Sequence, residues 1–531
     1  MASLTDILSK PTIFKGMKLT VMLIVLSWSH SYDAFSVLVF LPNPLRSHYD
    51  QVEPIFYALA LRGHNVTVVS PYPPKDQTSN LRHIFLSADR FMKHTAADWN
   101  MMELSLTDDQ FSIDQWKLHA DVFVPEVLGS TVFGDLTRGA SRFDLVFLEL
   151  FFGQEALAVL GHIFDAPVVT YASFGHTPDV LRFAGAANAV AYLPYMELRT
   201  AGPLSLFQRL RNTWMQYASM LYHEYWYYPQ HDALLAKYIS KPLPRIRDML
   251  HNISLYLLTG NVAVDGAKLY PPHVIEISEL NIKGTNPLDE EIKVIMDQAE
   301  NGVIFFCFGT LLQASSFRKE AVNTFLSVFK ELKQTVLWKS NLNASDWDIP
   351  KNVHMRNWFD QPSILAHQNC VLFLTHGGLS SMMEAIRYAV PVAGMPFYGD
   401  QWRLLAYAEY LGYGLRLEYK NLTQKSLSWV IKTVLEDPTY KENIRRASKI
   451  LSDKPMTSLE TAVYFLEYVV RHKGAHHLKP LATKIPTYQL FLIDVIAIYG
   501  TLFFVVFYLI LKLVILSWTR ICKTQLKEKA D

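Results

Sequence analysis

Apolar runs alternate with amphipathic stretches along most of the chain. AFSVLVFL (34–41) is continuously apolar, as expected of a strand covered on both faces of a parallel sheet. A polar loop, PNPLRSHYD, follows, and VEPIFYALALRG (52–63) then has helical spacing closed by Gly63. NVTVVS (65–70) reads as the next strand and completes a βαβ unit. FDLVFLEL (143–150) and APVVTYAS (166–173) read as later strands of the same sheet.

The alternation restarts near Asn286. GVIFFCFGT (302–310) predicts a strand ending in a glycine turn, RKEAVNTFLSVFKELKQ (318–334) an amphipathic helix, and TVLWK, VHMRN, CVLFLT and PVAGMP further strands. The pattern predicts an α/β chain of two doubly wound domains, 34–285 and 286–475, facing a cleft. Ligands of such sheets bind at the carboxyl ends of the strands.

The ends differ from the body. MKLTVMLIVLSWSHSYDA (17–34) carries a lysine, an apolar stretch and then small and polar residues, so residues 1–33 read as a secretory signal. Residues 1–16 precede it, so either Met17 is the start or the segment carries an extension. VIAIYGTLFFVVFYLIL (495–511) is uncharged, and 490–518 predicts a transmembrane helix after a linker at 476–489. Arg520, Lys523, Lys527 and Lys529 mark 519–531 as a cytosolic tail. The expected topology is type I in the endoplasmic reticulum membrane. The body is then lumenal, and Lys527 and Lys529 stand in the spacing of a retrieval signal or simply form a solvated basic tail. Sequons at Asn65, Asn252, Asn343 and Asn421 suit a lumenal body. Cys307 and Cys370 fall in apolar runs, where buried free thiols are expected ahead of a disulfide.

Composition narrows the partners. Lys+Arg is 50 and Asp+Glu 49, a balance that argues against nucleic acid. Aromatic residues crowd 214–228, from Trp214 to Tyr228. They read as core, as an apolar acceptor pocket, or as a surface that enters the membrane interface.

LTHGGLSSMMEA (374–385) carries the chemistry. A strand ends, HGG turns, and a helix begins, which presents unpaired N–H groups and a positive dipole end to an anion. Thr375, His376 and Ser380 add side-chain donors, while Gly377 and Gly378 leave the backbone bare. Glu384, farther along that helix, suits ribose hydroxyls. Trp358 can stack on a base and Gln361 can pair with one. Asp400 and Gln401 suit sugar hydroxyls. Base, ribose, diphosphate and sugar thus have candidate partners in order, which is a nucleotide-sugar site. No P-loop or Asp-x-Asp motif calls for a metal. Positive charge for the diphosphate is expected from the helix end and His376.

The segment WFDQPSILAHQNCVLFLTHGGLSSMMEAIRYAVPVAGMPFYGDQ (358–401) closely resembles the signature of the UDP-glycosyltransferases, which include animal UDP-glucuronosyltransferases. HGGLSS and FYGDQ are similar to the insect branch. The resemblance extends over nearly the whole chain, through FGT, GAHHLKPLA (474–482), the anchor and the basic tail. It implies two Rossmann-like domains of the GT-B type, a UDP-sugar donor (UDP-glucose or UDP-glucuronate) and no bound cofactor. It assigns Trp358 and Gln361 to uracil and ribose, Thr375, His376, Gly377, Gly378 and Ser380 to the diphosphate, and Glu384 to ribose. Asp400 and Gln401 would hold the sugar, and Thr310 the phosphates from the other side. The catalytic base would be His48 in RSHYD, just before the helix at 52, paired with Glu149.

Several positions depart from that signature. Asp360 stands for proline, Leu404 for asparagine, Cys307 for serine and Glu149 for aspartate. The expected activity is inverting transfer of a hexose to a hydroxyl of a small lipophilic acceptor, in detoxification or in hormone or pigment conjugation. The departures motivate one alternative, a catalytically weak binding subunit in a homo- or hetero-oligomer. The aromatic stretch and anchor motivate another, a transferase acting on membrane lipid.

Overall fold

The computed structural model describes residues 34–528, apart from 77, 88, 90–112, 152, 187–188, 196–197, 281, 283, 310–311 and 313, and leaves the side chains of 113–120 and 524–528 undescribed. The signal segment and Thr310 lie outside the described residues.

Two parallel sheets organise the chain. The first contains β1 (Ser36–Phe40), β2 (Asn65–Ser70), β3 (Leu81–Phe85), β4 (Leu145–Glu149), β5 (Val168–Ala172), β6 (Leu255–Thr259) and β7 (Val274–Ile277), in the order β3-β2-β1-β4-β5-β6-β7. The second contains β8 (Val303–Cys307), β9 (Thr335–Lys339), β10 (Val353–Arg356), β11 (Cys370–Thr375), β12 (Val392–Gly394) and β13 (Gly414–Arg416), in the order β10-β9-β8-β11-β12-β13. Each order reverses once, between β1 and β4 and between β8 and β11. These reversals open the crevices where such sheets bind ligands.

The continuous apolar runs follow from burial on both faces. Leu38 and Phe40 enter one core while Val37 and Val39 enter another on the opposite face of β1. Ile304 and Phe306 do the same against Val303 and Phe305 on β8. At 25 cal/mol per Å², each fully buried side chain of this kind stabilises by about 1.5–3 kcal/mol. Cys307 and Cys370 are buried free thiols. In register Cys307 faces Thr375 and Cys370 faces Val303, so the two sulfurs lie far apart along neighbouring strands.

Each domain also lends a helix to the other. Ser458–Arg471, from beyond the second sheet, packs Ala462, Val463, Leu466 and Val469 into the core of the first. Val262–Asp265, following β6, packs Ala263 and Val264 into the core of the second. This reciprocal packing holds the two sheets as facing halves of one body.

One boundary differs from the sequence expectation. The helix read at 52–63 begins six residues earlier and spans Arg46–Leu61, so His48 lies inside its first turn rather than ahead of it. The helix Ile493–Glu528 contains a 31-residue stretch, Ile493–Lys523, that is long and apolar enough to cross a membrane, with its apolar side chains exposed. At 1.5 Å per residue it is about 46 Å long, enough to cross a bilayer.

Candidate active site

The reversal in the first sheet gathers a basic nitrogen and a carboxylate. Glu149 ends β4, and His48 stands above the neighbouring carboxyl end of β1. His48 Nδ1 lies 2.8 Å from Glu149 Oε1. Ser173, just past β5, donates its hydroxyl to the same oxygen at 2.6 Å and lies 3.0 Å from His48 Nδ1. All three residues are buried. A carboxylate accepting from Nδ1–H fixes the tautomer and leaves Nε2 as the proton acceptor. The Phe174 ring packs edge-on to the imidazole, 4.9 Å between centroids. Below, Gln51 accepts from Tyr171 and, at 3.1 Å, from Thr259, which pins the first turns of the His48 helix to the strand ends. Sequence reasoning missed Ser173, although a hydroxyl at the carboxyl end of a strand was the available signal.

The reversal in the second sheet gathers the HGG turn. Gly377 has φ +84°, and a Cβ there would meet Leu405 Cγ at 2.5 Å. A Cβ on Gly378 would meet His376 Nε2 at 2.6 Å, and one on Gly309, in the turn after β8, would meet it at 2.9 Å. The glycines therefore make room for the His376 ring as well as for a ligand. Thr375 Oγ1 accepts from Gly377 N–H at 3.3 Å and fixes the turn. The helix Leu379–Arg387 follows without a side-chain cap at Gly378, and Ser380 is half-buried in its first turn. A helix start of this kind can hold an anion through its first-turn N–H groups.

The expectation that His376 supplies positive charge is corrected here. Burial, with Lys339 nearby, pushes its pKa down to about 4, so the ring is neutral at pH 7 and acts as a hydrogen-bonding group. Lys339 is the cation at this end. Its Nζ donates to Gly309 O at 2.9 Å and lies 4.5 Å from the Trp358 ring centroid. Trp358 is 68% exposed, so the ring remains accessible to a flat partner on the side away from Lys339.

Gln361 and Glu384 come together as one unit. Gln361 Nε2 donates to Glu384 Oε2 at 2.6 Å and to Ser381 Oγ at 3.2 Å. Burial pushes Glu384 up to about 7, and the charge of Asp360 adds to the effect. Asp360 itself is turned to structural use: its Oδ2 accepts from Ser363 Oγ at 2.8 Å and from Asn286 Nδ2 at 2.9 Å, tying the inter-domain segment down. Leu404 is fully buried in the core of the second domain.

Asp400 joins the halves. Leu379 N–H donates to its carboxylate, which places it at the entry of the HGG helix, and it feels the charge of His48 from the opposite domain. Burial pushes it up to about 6, opposed by Arg403 and then His48. Gln401 Oε1 accepts from Phe397 N–H and Tyr398 N–H at 2.9 and 3.2 Å, and the same side chain hydrogen-bonds the Tyr398 hydroxyl, which fixes the amide at the start of its helix. The turns at 48 and 376 therefore face one another across a single cleft. It can deliver a carboxylate-held imidazole on one wall and anion-binding N–H groups on the other.

Solved structures share this architecture. The calicheamicin glycosyltransferase CalG4 superposes with a TM-score of 0.57 over 83% of this chain and 99% of that one, at 17% identity. A UDP-glucosyltransferase from Polygonum tinctorium gives 0.55 over 82% and 98%, at 15% identity. The fold is that of the GT-B glycosyltransferases. At the level of sequence, the UDP-glucosyltransferase 2 of Dactylopius coccus is 32% identical over 487 residues, 91% of this chain and 92% of that protein. The human UDP-glucuronosyltransferase 2B7 is 26% identical over 513 residues, 91% and 94%. The family described as UDP-glucoronosyl and UDP-glucosyl transferase matches residues 37–528, so this chain belongs to that family and is a UDP-sugar hexosyltransferase.

Proposed function

We propose that the protein moves glucose from UDP-glucose, in preference to glucuronate from UDP-glucuronate, to a hydroxyl of a small lipophilic acceptor. The observation that carries this reading is His48, held by Glu149 and Ser173, with the Phe174 loop behind it tied by Arg403 to the helix that begins beside Asp400. The greater identity to an insect glucosyltransferase than to a human glucuronosyltransferase favours glucose.

In this reading the acceptor O–H proton passes to His48 Nε2 as the oxygen bonds to the anomeric carbon. The bond from that carbon to the diphosphate breaks on the far face, and its electron pair leaves with the UDP. Glu149 stabilises the imidazolium that forms. First-turn helix N–H groups beyond Leu379 and the His376 ring receive the leaving diphosphate, with Thr375, Gly377, Gly378 and Ser380 shaping its seat. Trp358 and Gln361 hold uracil, Glu384 holds ribose, and Asp400 with Gln401 hold the sugar. The apolar helix Ile493–Lys523 and the basic residues Arg520 and Lys523 at its end support a body in the lumen of the endoplasmic reticulum, with the basic end cytosolic.

The test is turnover by the full-length protein in membranes with each donor and a panel of lipophilic alcohols. Glucose transfer that is lost in His48→Ala while UDP binding persists supports the reading. UDP binding without transfer of either sugar in the unaltered protein refutes it and favours a binding subunit.

A further inference from the structure

The aromatic-rich stretch divides into two kinds of residue. Tyr227 and Tyr228 are buried in the core of the first domain, whereas Trp214, Tyr225 and Trp226 are exposed. The exposed set continues backward along the helix Leu206–Tyr222, through Leu206, Phe207, Leu210 and Leu221, with Phe207 and Trp214 each 75% exposed. At about 100° per residue, positions 206, 207, 210, 214 and 221 fall within a sector roughly 100° wide. Arg209 and Arg211 are exposed beside it. An apolar stripe flanked by basic residues is the pattern of a helix lying in a membrane interface.

The other face of this helix is fixed to the protein. Asn212 Nδ2 donates to Val190 O and Leu193 O at 2.7 and 2.9 Å, and Ser219 Oγ accepts from Tyr195 at 3.2 Å. Between that face and the domain lies a cavity of about 480 Å³. One wall is Gln216, Tyr217 and Met220 of the helix, and another is Leu490 and Phe491. Phe491 stands two residues before the apolar helix at Ile493, and its ring packs edge-on to Tyr217 at 5.7 Å. Arg247 Nη2 donates to Thr487 Oγ1 at 2.7 Å and ties the same segment to the domain. The stripe is therefore continuous with the membrane anchor. The buried His176 and Arg403 also line the cavity. Arg403 Nη2 donates to Phe174 O at 2.6 Å, and the Phe174 ring packs on His48.

We infer that the helix Leu206–Tyr222 lies in the bilayer interface beside the anchor, and that the cavity beneath it receives lipophilic acceptors directly from the membrane. The acceptor half of this inference rests on the transferase reading above; the membrane contact does not. A mostly apolar chamber that has the juxtamembrane segment as a wall suits a flat or elongated apolar alcohol, with its hydroxyl directed inward toward the Phe174–His176 loop.

Two measurements test it on the full-length protein in lipid nanodiscs. In a Cys522→Ser background, which leaves only the buried Cys307 and Cys370, an environment-sensitive dye is attached at Trp214→Cys or, as control, at Trp429→Cys on the second domain. Dye at 214 should emit to the blue and be quenched by doxyl-labelled lipid, and dye at 429 should not. Equal, water-like emission at both sites overturns the membrane contact. Second, Phe207→Asp with Trp214→Asp should lower kcat/KM at least about tenfold for a membrane-partitioning alkyl phenol, while sparing a water-soluble phenol and the UDP-sugar KM. Equal effects on both phenols, or none, overturn the acceptor route. Absence of turnover in the unaltered protein counts against the transferase reading alone, because the dye contrast does not depend on it.

Discussion

Ser173 and His48 share one acceptor atom: the serine hydroxyl and imidazole Nδ1 both reach Glu149 Oε1, at 2.6 and 2.8 Å. The hydroxyl therefore orients the carboxylate that orients the ring. Removing it leaves the pair intact but freer to rotate. A hydrogen bond to a charged group contributes about 1.5–3 kcal/mol, so Ser173→Ala should lower kcat by about 10-fold or more with little change in donor KM. Glu149→Ala should cost more, about 10²–10⁴-fold, because the ring then loses both its tautomer and its counter-charge. Steady-state kinetics of the two variants with one acceptor checks the order.

Glu384 gives a pH signature on the donor side. Its pKa is pushed up to about 7 by burial and by Asp360, and the carboxylate accepts from ribose hydroxyls more strongly than the protonated acid does. UDP affinity should therefore rise with pH through about 7 and fall on the acid side, by at most about tenfold per pH unit. Glu384→Gln should bind more weakly and show none of this dependence. Asp360→Asn removes one of the raising causes and should move the profile to lower pH. Calorimetric titration of UDP between pH 6 and 8 distinguishes these outcomes. A flat wild-type profile would remove Glu384 from ribose recognition.

The two glycines of the turn should fail differently. Gly377 combines φ +84° with Leu405 at 2.5 Å from a built Cβ, so Gly377→Ala strains the backbone by about 1–3 kcal/mol and overpacks the core as well. Gly378 has ordinary φ, and its Cβ would instead strike His376 Nε2. Gly378→Ala should keep most of the thermal stability and raise the UDP-sugar KM, because the ring is displaced. Melting curves beside donor kinetics separate the cases.

What was legible in the sequence follows burial and distance along the chain. β1, β4, β5, β8 and β11 were readable because both faces of each enter a core, which leaves unbroken apolar runs. β3 alternates partly exposed positions at a sheet edge and β13 is three residues long, so neither carries that signal. β6, LYLLT, is fully buried and carried the signal unread. The start of the His48 helix was hidden because PNPLRSHYD lacks helical apolar spacing. The donor-side residues were readable because they follow a compact motif, whereas Ser173 meets His48 from 125 residues away and Arg403 meets Phe174 from 229. Burial decided the state of His376, and no spacing rule reports burial of a polar ring.

Arg403 supplies the last prediction, because it links the wall that holds Asp400 to the loop behind His48. It is buried, with Nη2 on Phe174 O at 2.6 Å and Nη1 on the His176 ring at 2.8 Å and on His176 O at 3.3 Å. Asp265 lies 3.7 Å away and also meets Lys268 at 2.6 Å. Burial and the neighbouring guanidinium push His176 down to about 3, so the ring is neutral and accepts from the arginine, while Lys268, His176 and Arg403 together hold Asp265 below the usual carboxylate range. A planar guanidinium serves two carbonyls and a ring from two nitrogens of a fixed fork, whereas an ammonium offers its three donors from a single point. Arg403→Lys keeps the charge beside Asp265 and loses the fork, so it should leave UDP affinity unchanged and reduce kcat, because the Phe174 loop is no longer held against the donor wall. Arg403→Met also uncovers buried charge and should destabilise the protein by about 3–5 kcal/mol. Kinetics, UDP binding and melting of both variants decide the matter: if Arg403→Lys changes stability alone and leaves kcat intact, the link is structural and does not set the geometry of transfer.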